Sequence, residues 1–206
     1  MRKELLLGVL FFSGLWGLSE AVLGGALYGT EVAHASVILT VIGLIVLTFA
    51  NVYFPQKGIA TAIAGCAMLY KFLNLPFFAC HLLAIFLIGL CYDLFLNGVK
   101  IRNRALSAVF IVYASYASFA LMMTYIVRYE YWVPGGFGKV LNHIGVSGSI
   151  AALASAIVVP LSFRFAKRLK SDLPMPFGFR WRLLPGSISF ATVGLWIFGL
   201  AIYFFS

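Results

Sequence analysis

Seven apolar runs, separated by breaks that hold most of the prolines and charges, dominate this chain: Leu5 to Tyr28, His34 to Phe54, Gly58 to Leu73, Phe77 to Leu96, Ala105 to Val127, Val146 to Arg164 and Gly186 to Phe205. About 20 residues of α-helix cross the hydrocarbon of a bilayer, and every run but the short third approaches or exceeds that length. In lipid each backbone N–H and C=O must find a partner within the protein, which leaves helices or a closed barrel. The runs lack the apolar–polar alternation of barrel strands, so helices are expected. Composition agrees: 63% of the residues are hydrophobic and 10% charged, and the mean hydropathy is +1.02. The expected fold is an all-α integral membrane bundle of about seven transmembrane spans, six if the third is not a true span. It forms a single polytopic domain over residues 1–206 with almost no soluble mass.

The opening Met1-Arg2-Lys3-Glu4 before an apolar run resembles a secretory signal. The run to Tyr28 is too long for a signal core and long enough to span, so it is read as the first helix. The formal charge of +9 could suggest nucleic acid, but the basic residues sit in short breaks rather than on a surface that could track a phosphate backbone, so no nucleic-acid partner is expected. Topology explains them. With the amino terminus inside, the inner segments hold Arg2, Lys3, Lys57, Lys100, Arg102, Arg104, Arg164, Lys167, Arg168, Lys170, Arg180 and Arg182, and the outer ones only Lys71, Arg128 and Lys139. That asymmetry is the positive-inside signature of a multi-pass cell-membrane protein with a cytoplasmic amino terminus.

Two breaks are long. The outer one, 128–145, carries Tyr129, Tyr131, Trp132 and Phe137 around Pro134-Gly135-Gly136, suited to the headgroup region or to folding over a cavity. The inner one, 165–185, mixes five cations with Phe177, Phe179 and Trp181, a composition that attracts anionic lipid. Pro160 lies inside a run and predicts a kink late in the sixth span.

The first span is the most informative. At about 100° per residue, Ser13, Gly17, Glu20 and Gly24 share a narrow stripe with Ala21 and Gly25 beside it, so another backbone can approach closely there. Glu20 then points into protein, and an ionised carboxylate at that depth needs a cation, a proton or water. Lys71 and Asn74 end the third span, His81 opens the fourth and His34 the second. These place a substrate-binding set of Glu20, Lys71, Asn74 and His81 in the outer half. The plainer readings are Lys71 snorkelling to the headgroups and His81 as a hydrogen-bonded helix-end residue.

Asp93 is a second intramembrane acid, near Lys100, Arg102 and Arg104, which are its expected partners; coupling to a cytoplasmic partner is the sharper alternative. A metal site from Cys66, Cys80, His81 and Glu20 has no ligand-spacing motif behind it, and no metal or cofactor is expected. Gly145-Val146-Ser147-Gly148 resembles the GxSG motif of rhomboid proteases, but their base is a histidine on a later span and none follows His143. The chain is therefore expected not to be an enzyme, and a close helix contact explains the small residues.

The size, the series Ser13-Gly17-Ala21-Gly25 and the phrase Gly89-Leu90-Cys91-Tyr92-Asp93-Leu94 ending a span together resemble the substrate-binding S components of energy-coupling factor transporters. The resemblance implies a vitamin-like or metal substrate bound near the outer face, with Glu20, Lys71 and His81 at or near the pocket. It also implies a separate membrane coupling protein with ATPase subunits, packed against the small-residue stripe. The functional expectation is a membrane transport component whose energy comes from a partner. The rival is a structural or assembly subunit of a membrane complex with no substrate. A wet polar pocket in the outer half favours the first, and a sealed apolar interior the second.

Overall fold

The computed structural model describes residues 2–30, 32–73, 79–99, 101–172 and 185–205. Among them regular structure is wholly helical. The helices are α1 (Arg2–Gly29), α2 (Ala35–Tyr53), α3 (Ile59–Ala67), α4 (Ala79–Tyr92), α5 (Arg104–Leu121), a short α6 (Gly136–Asn142), α7 (Ser149–Asp172) and α8 (Pro185–Phe205). Five helical stretches are long and apolar enough to cross a membrane: Lys3–Leu27, Ala35–Tyr53, Cys80–Gly98, Arg104–Ile126 and Val133–Ser171.

The ends of these elements follow local chemistry. Gly58 enters α3 at φ 85, where a side chain would be strained. Asn103 caps α5, its side chain accepting from the Ala105 and Leu106 amides. His34 takes a left-handed backbone (φ 59) just before α2, a conformation in which histidine is over-represented among non-glycine residues. α3 tightens into a 3-10 turn over Met68–Leu73, so the whole element rises only about 25 Å, less than the hydrocarbon thickness. It carries Lys71, whose side chain is buried.

Two sequence expectations change. The outer break 128–145 is largely helical: a 3-10 turn over Val133–Gly135 leads through α6 and a π-helical stretch, His143–Gly148, into α7. Pro134 stands in the first turn, where its missing N–H costs nothing, so Pro-Gly-Gly starts a helix here instead of ending one. The inner break does not begin at Phe165, because α7 runs through Pro160 to Asp172; residues 173–184 lie outside the described set.

Packing follows a closed circuit. α1 touches α2, α2 touches α7, α7 touches α5, α5 touches α4, α4 touches α3, and α3 returns to α1; α8 packs on α1. The core between them holds Trp16, Leu44, Leu47, Ile63, Tyr92, Ile111 and Val159, all essentially inaccessible. Outward faces are apolar as well: Leu153, Ile157, Leu161 and Phe165 form an i, i+4 stripe on α7 that is 54 to 71% exposed. A helix apolar on both faces suits a surrounding of lipid.

The small-residue stripe of α1 is occupied within the chain. A Cβ on Gly17 would stand 2.3 Å from the Tyr70 ring, Ser13 is fully buried, and Ala21 is 6% exposed. Gly25, by contrast, is exposed.

Candidate functional site

One end of the bundle gathers the last turns of α1, the 3-10 end of α3 and the segment after α5 with the first turns of α2 and α4 and the π-helical stretch before α7. Between them lies a cavity of about 840 Å³, within the size range of small-molecule sites. Its rim is exposed, at Gly29, Val32, His34 and Tyr131; its floor is buried, at Thr40, Lys71, Ser115 and Tyr116. From His34 to Thr40 along α2 the cavity reaches about 9 Å below the rim.

Among the described residues Lys71 is the charged group of the lining. Its side chain is 4% exposed; the ammonium Nζ donates to the Glu20 backbone carbonyl at 2.8 Å and sits 3.2 Å from Glu20 Oε2. The expectation that Lys71 snorkels to the headgroups is therefore corrected: the Glu20 oxygens hold the ammonium inside the bundle. Gly24 makes room for this, since a Cβ there would stand 3.0 Å from Nζ. Glu20 lies behind Lys71 and is not itself in the lining. An ammonium has three donors, and with Glu20 engaging two, one remains for the cavity.

Around this floor the walls are aromatic. The Tyr116 and His143 rings stack at 4.9 Å with an interplanar angle of 16°. Trp132 meets His143 edge-on at 5.1 Å, and Phe119 meets Trp132 edge-on at 5.4 Å. Tyr116 also exchanges a hydrogen bond with Thr40 at 3.2 Å, which fixes the ring against α2. All three histidines of the chain, His34, His81 and His143, line the cavity. The site is thus a polar floor, a stacked aromatic wall and imidazoles able to donate or accept. Comparison with family models, curated proteins and solved structures gives no match. Geometry and sequence alone carry the reading.

Of the residues singled out from sequence, Lys71 and His81 reach the cavity, Glu20 holds Lys71 from behind, and Asn74 lies outside the described residues. Sequence reasoning did not place Tyr116, Phe119 or His143 at the site. The aromatic density of 128–145 was the available signal for this wall, and it led to Trp132 and Tyr131.

Ser147 of the Gly-x-Ser-Gly stretch stands 3.0 Å from His34 Nδ1. A histidine does meet this serine, from an earlier position in the chain than the rhomboid pattern requires. Among the described residues no side chain engages the second ring nitrogen of His34; Glu31 lies outside them. The bond ties the start of α2 to the start of α7. No group of three His, Cys, Asp or Glu side chains positioned to hold a metal occurs among the described residues.

Asp93 lies at the opposite end. Its Oδ2 accepts from the Thr61 amide at 2.8 Å and the Thr61 hydroxyl at 2.7 Å, and Oδ1 accepts from Asn97 Nδ2 at 2.9 Å. The expected pairing with Arg102 and Arg104 is replaced by capping: Asp93 satisfies an orphan N–H in the first turn of α3, where a negative charge is favoured. Lys100 lies outside the described residues.

Proposed function

We propose that the protein is a membrane transport component that binds a small substrate in this cavity and relies on a partner for energy. The cavity opens to the outer face in a topology of seven spans with a cytoplasmic amino terminus. The carrying observation is the combination of a buried ammonium and a stacked Tyr116–His143 wall in a cavity of small-molecule size. A structural subunit has no need of such a space: an open cavity forfeits packing and leaves a costly ion pair at its floor. Orientation rests on charge. Arg102, Arg104, Arg164, Lys167 and Lys170 gather at the end opposite the cavity, with Lys170 donating to the Val52 carbonyl at 2.7 Å near the end of α2. The positive-inside rule puts that end in the cytoplasm. The ligand that fits has a planar ring for the aromatic wall and an acceptor, neutral or anionic, for the free Lys71 donor.

The resemblance to S components of energy-coupling factor transporters suggests the partner, a coupling membrane protein with ATPase subunits, which would dock elsewhere than on Ser13, Gly17 and Ala21, since these are buried within the chain. The test is purification of the tagged protein in mild detergent, with mass spectrometry of small molecules and copurifying chains, beside Lys71→Met and Tyr116→Ala. A bound small molecule is expected; per folded protein it should fall at least about tenfold in Lys71→Met, the factor that corresponds to one lost charge-assisted bond, and should also fall in Tyr116→Ala. Recovery of a stable multi-subunit complex with no small molecule, alike in all three proteins, would contradict the reading and leave a structural subunit.

A further inference from the structure

At the end opposite the cavity, a smaller groove of about 370 Å³ lies between the start of α5 and the late turns of α7. Arg104 lines it from α5, and Arg164 and Lys167 from α7, one turn apart and so on the same face. No acid lines it. Three cations around one space repel each other unless an anion joins them, and the α5 amino terminus adds the positive end of its dipole. The groove is shaped rather than merely charged. The Arg104 guanidinium is held over the Phe163 ring, 4.6 Å from its centroid, and Phe163 is itself buried.

The surroundings say what kind of anion fits. Leu106 on α5 and Leu161 and Phe165 on α7 are apolar and 45 to 61% exposed, in sequence beside the groove residues. A ligand that satisfies both features has an anionic head and apolar tails. We infer that this groove binds the headgroup phosphate of an anionic phospholipid, with the acyl chains on the neighbouring apolar faces of α5 and α7. The site is independent of the cavity at the other end: it shares no residue with it, and either can exist without the other. A lipid held there ties α5 to α7 at the end of the bundle where their helices carry like charges.

The probe is native mass spectrometry of the full chain in detergent, titrated in parallel with phosphatidylglycerol and phosphatidylcholine of the same acyl chains. Phosphatidylglycerol adducts should exceed phosphatidylcholine adducts by about tenfold or more, and Arg164→Gln with Lys167→Gln should weaken them by about fivefold per charge removed. The charge-conserving pair Arg164→Lys with Lys167→Arg should retain binding, which separates lost charge from lost fold. Lys57→Gln, which removes a cation outside the groove, should leave binding unchanged. Equal binding of the two lipids, an equal loss in Lys57→Gln, or displacement of the lipid by inorganic phosphate at matched concentration would each overturn the inference.

Discussion

Glu20 and Lys71 hold each other in a place where neither is tolerated alone. Glu20→Gln leaves a buried ammonium without its counter-ion and should lower stability by on the order of 3 kcal/mol, whereas replacing the pair together by apolar groups of similar volume is often neutral. Lys71→Met leaves the Glu20 carboxylate without its counter-ion in the same way and should lower stability by a comparable amount. The double variant Glu20→Met with Lys71→Met should recover much of the thermal midpoint and still fail to bind ligand. Melting in detergent checks this order; wild type and Glu20→Gln melting alike would contradict it. The depth of Glu20 was legible in the sequence because charge in lipid is expensive and helix rise gives depth; Lys71 was only one of its possible partners, with snorkelling to the headgroups as the plainer reading. The aromatic wall was not legible. Tyr116 and His143 belong to segments far apart in sequence, and their stacking depends on how α5 meets the helix that continues into α7.

Elements in this bundle are placed by glycine as much as by bulk. A Cβ on Gly89 would lie 2.3 Å from the Ala64 Cβ and 2.7 Å from the Ala60 carbonyl, so α4 approaches α3 backbone to backbone. Gly89→Ala should cost about 1 to 3 kcal/mol by overpacking, and it should also disturb Asp93, one turn on, which caps α3. Gly65, on α3 with open space at its Cβ position, is the control: Gly65→Ala should be neutral or stabilise by up to about 1 kcal/mol through helix propensity. Thermal unfolding of the two variants side by side checks the contrast, and equal destabilisation would refute the close contact. The boundaries of α6 and α7 were the least legible features. Pro134-Gly135-Gly136 reads as a break, and only its position in a first turn makes it a helix start. The run ending at Arg164 also reads as a span limit, yet α7 continues, its cations passing into solvent or headgroups while the backbone stays helical.

At the scale of the molecule, six helices close a circuit around an apolar core and α8 packs outside it on α1. The circuit is polarised: one end opens into the cavity, the other carries the basic groove and the Asp93 cap. Helical character and apolar spans followed from sequence because lipid permits little else; the polarity followed from the distribution of lysine and arginine. The closed circuit did not, since every helix presents apolar residues on several faces and pattern alone does not choose neighbours. The central claim, a wet cavity with Lys71 at its floor and open to the outside, is tested most directly by cysteine accessibility in intact cells. In a variant lacking Cys66, Cys80 and Cys91, a membrane-impermeant thiol reagent added outside should modify Ser36→Cys and His81→Cys, both in the cavity lining, and should spare Leu153→Cys, 71% exposed on the lipid-facing stripe of α7. Modification of the two cavity positions only after the membrane is opened would contradict the outward orientation, and no modification at all would contradict the wet cavity.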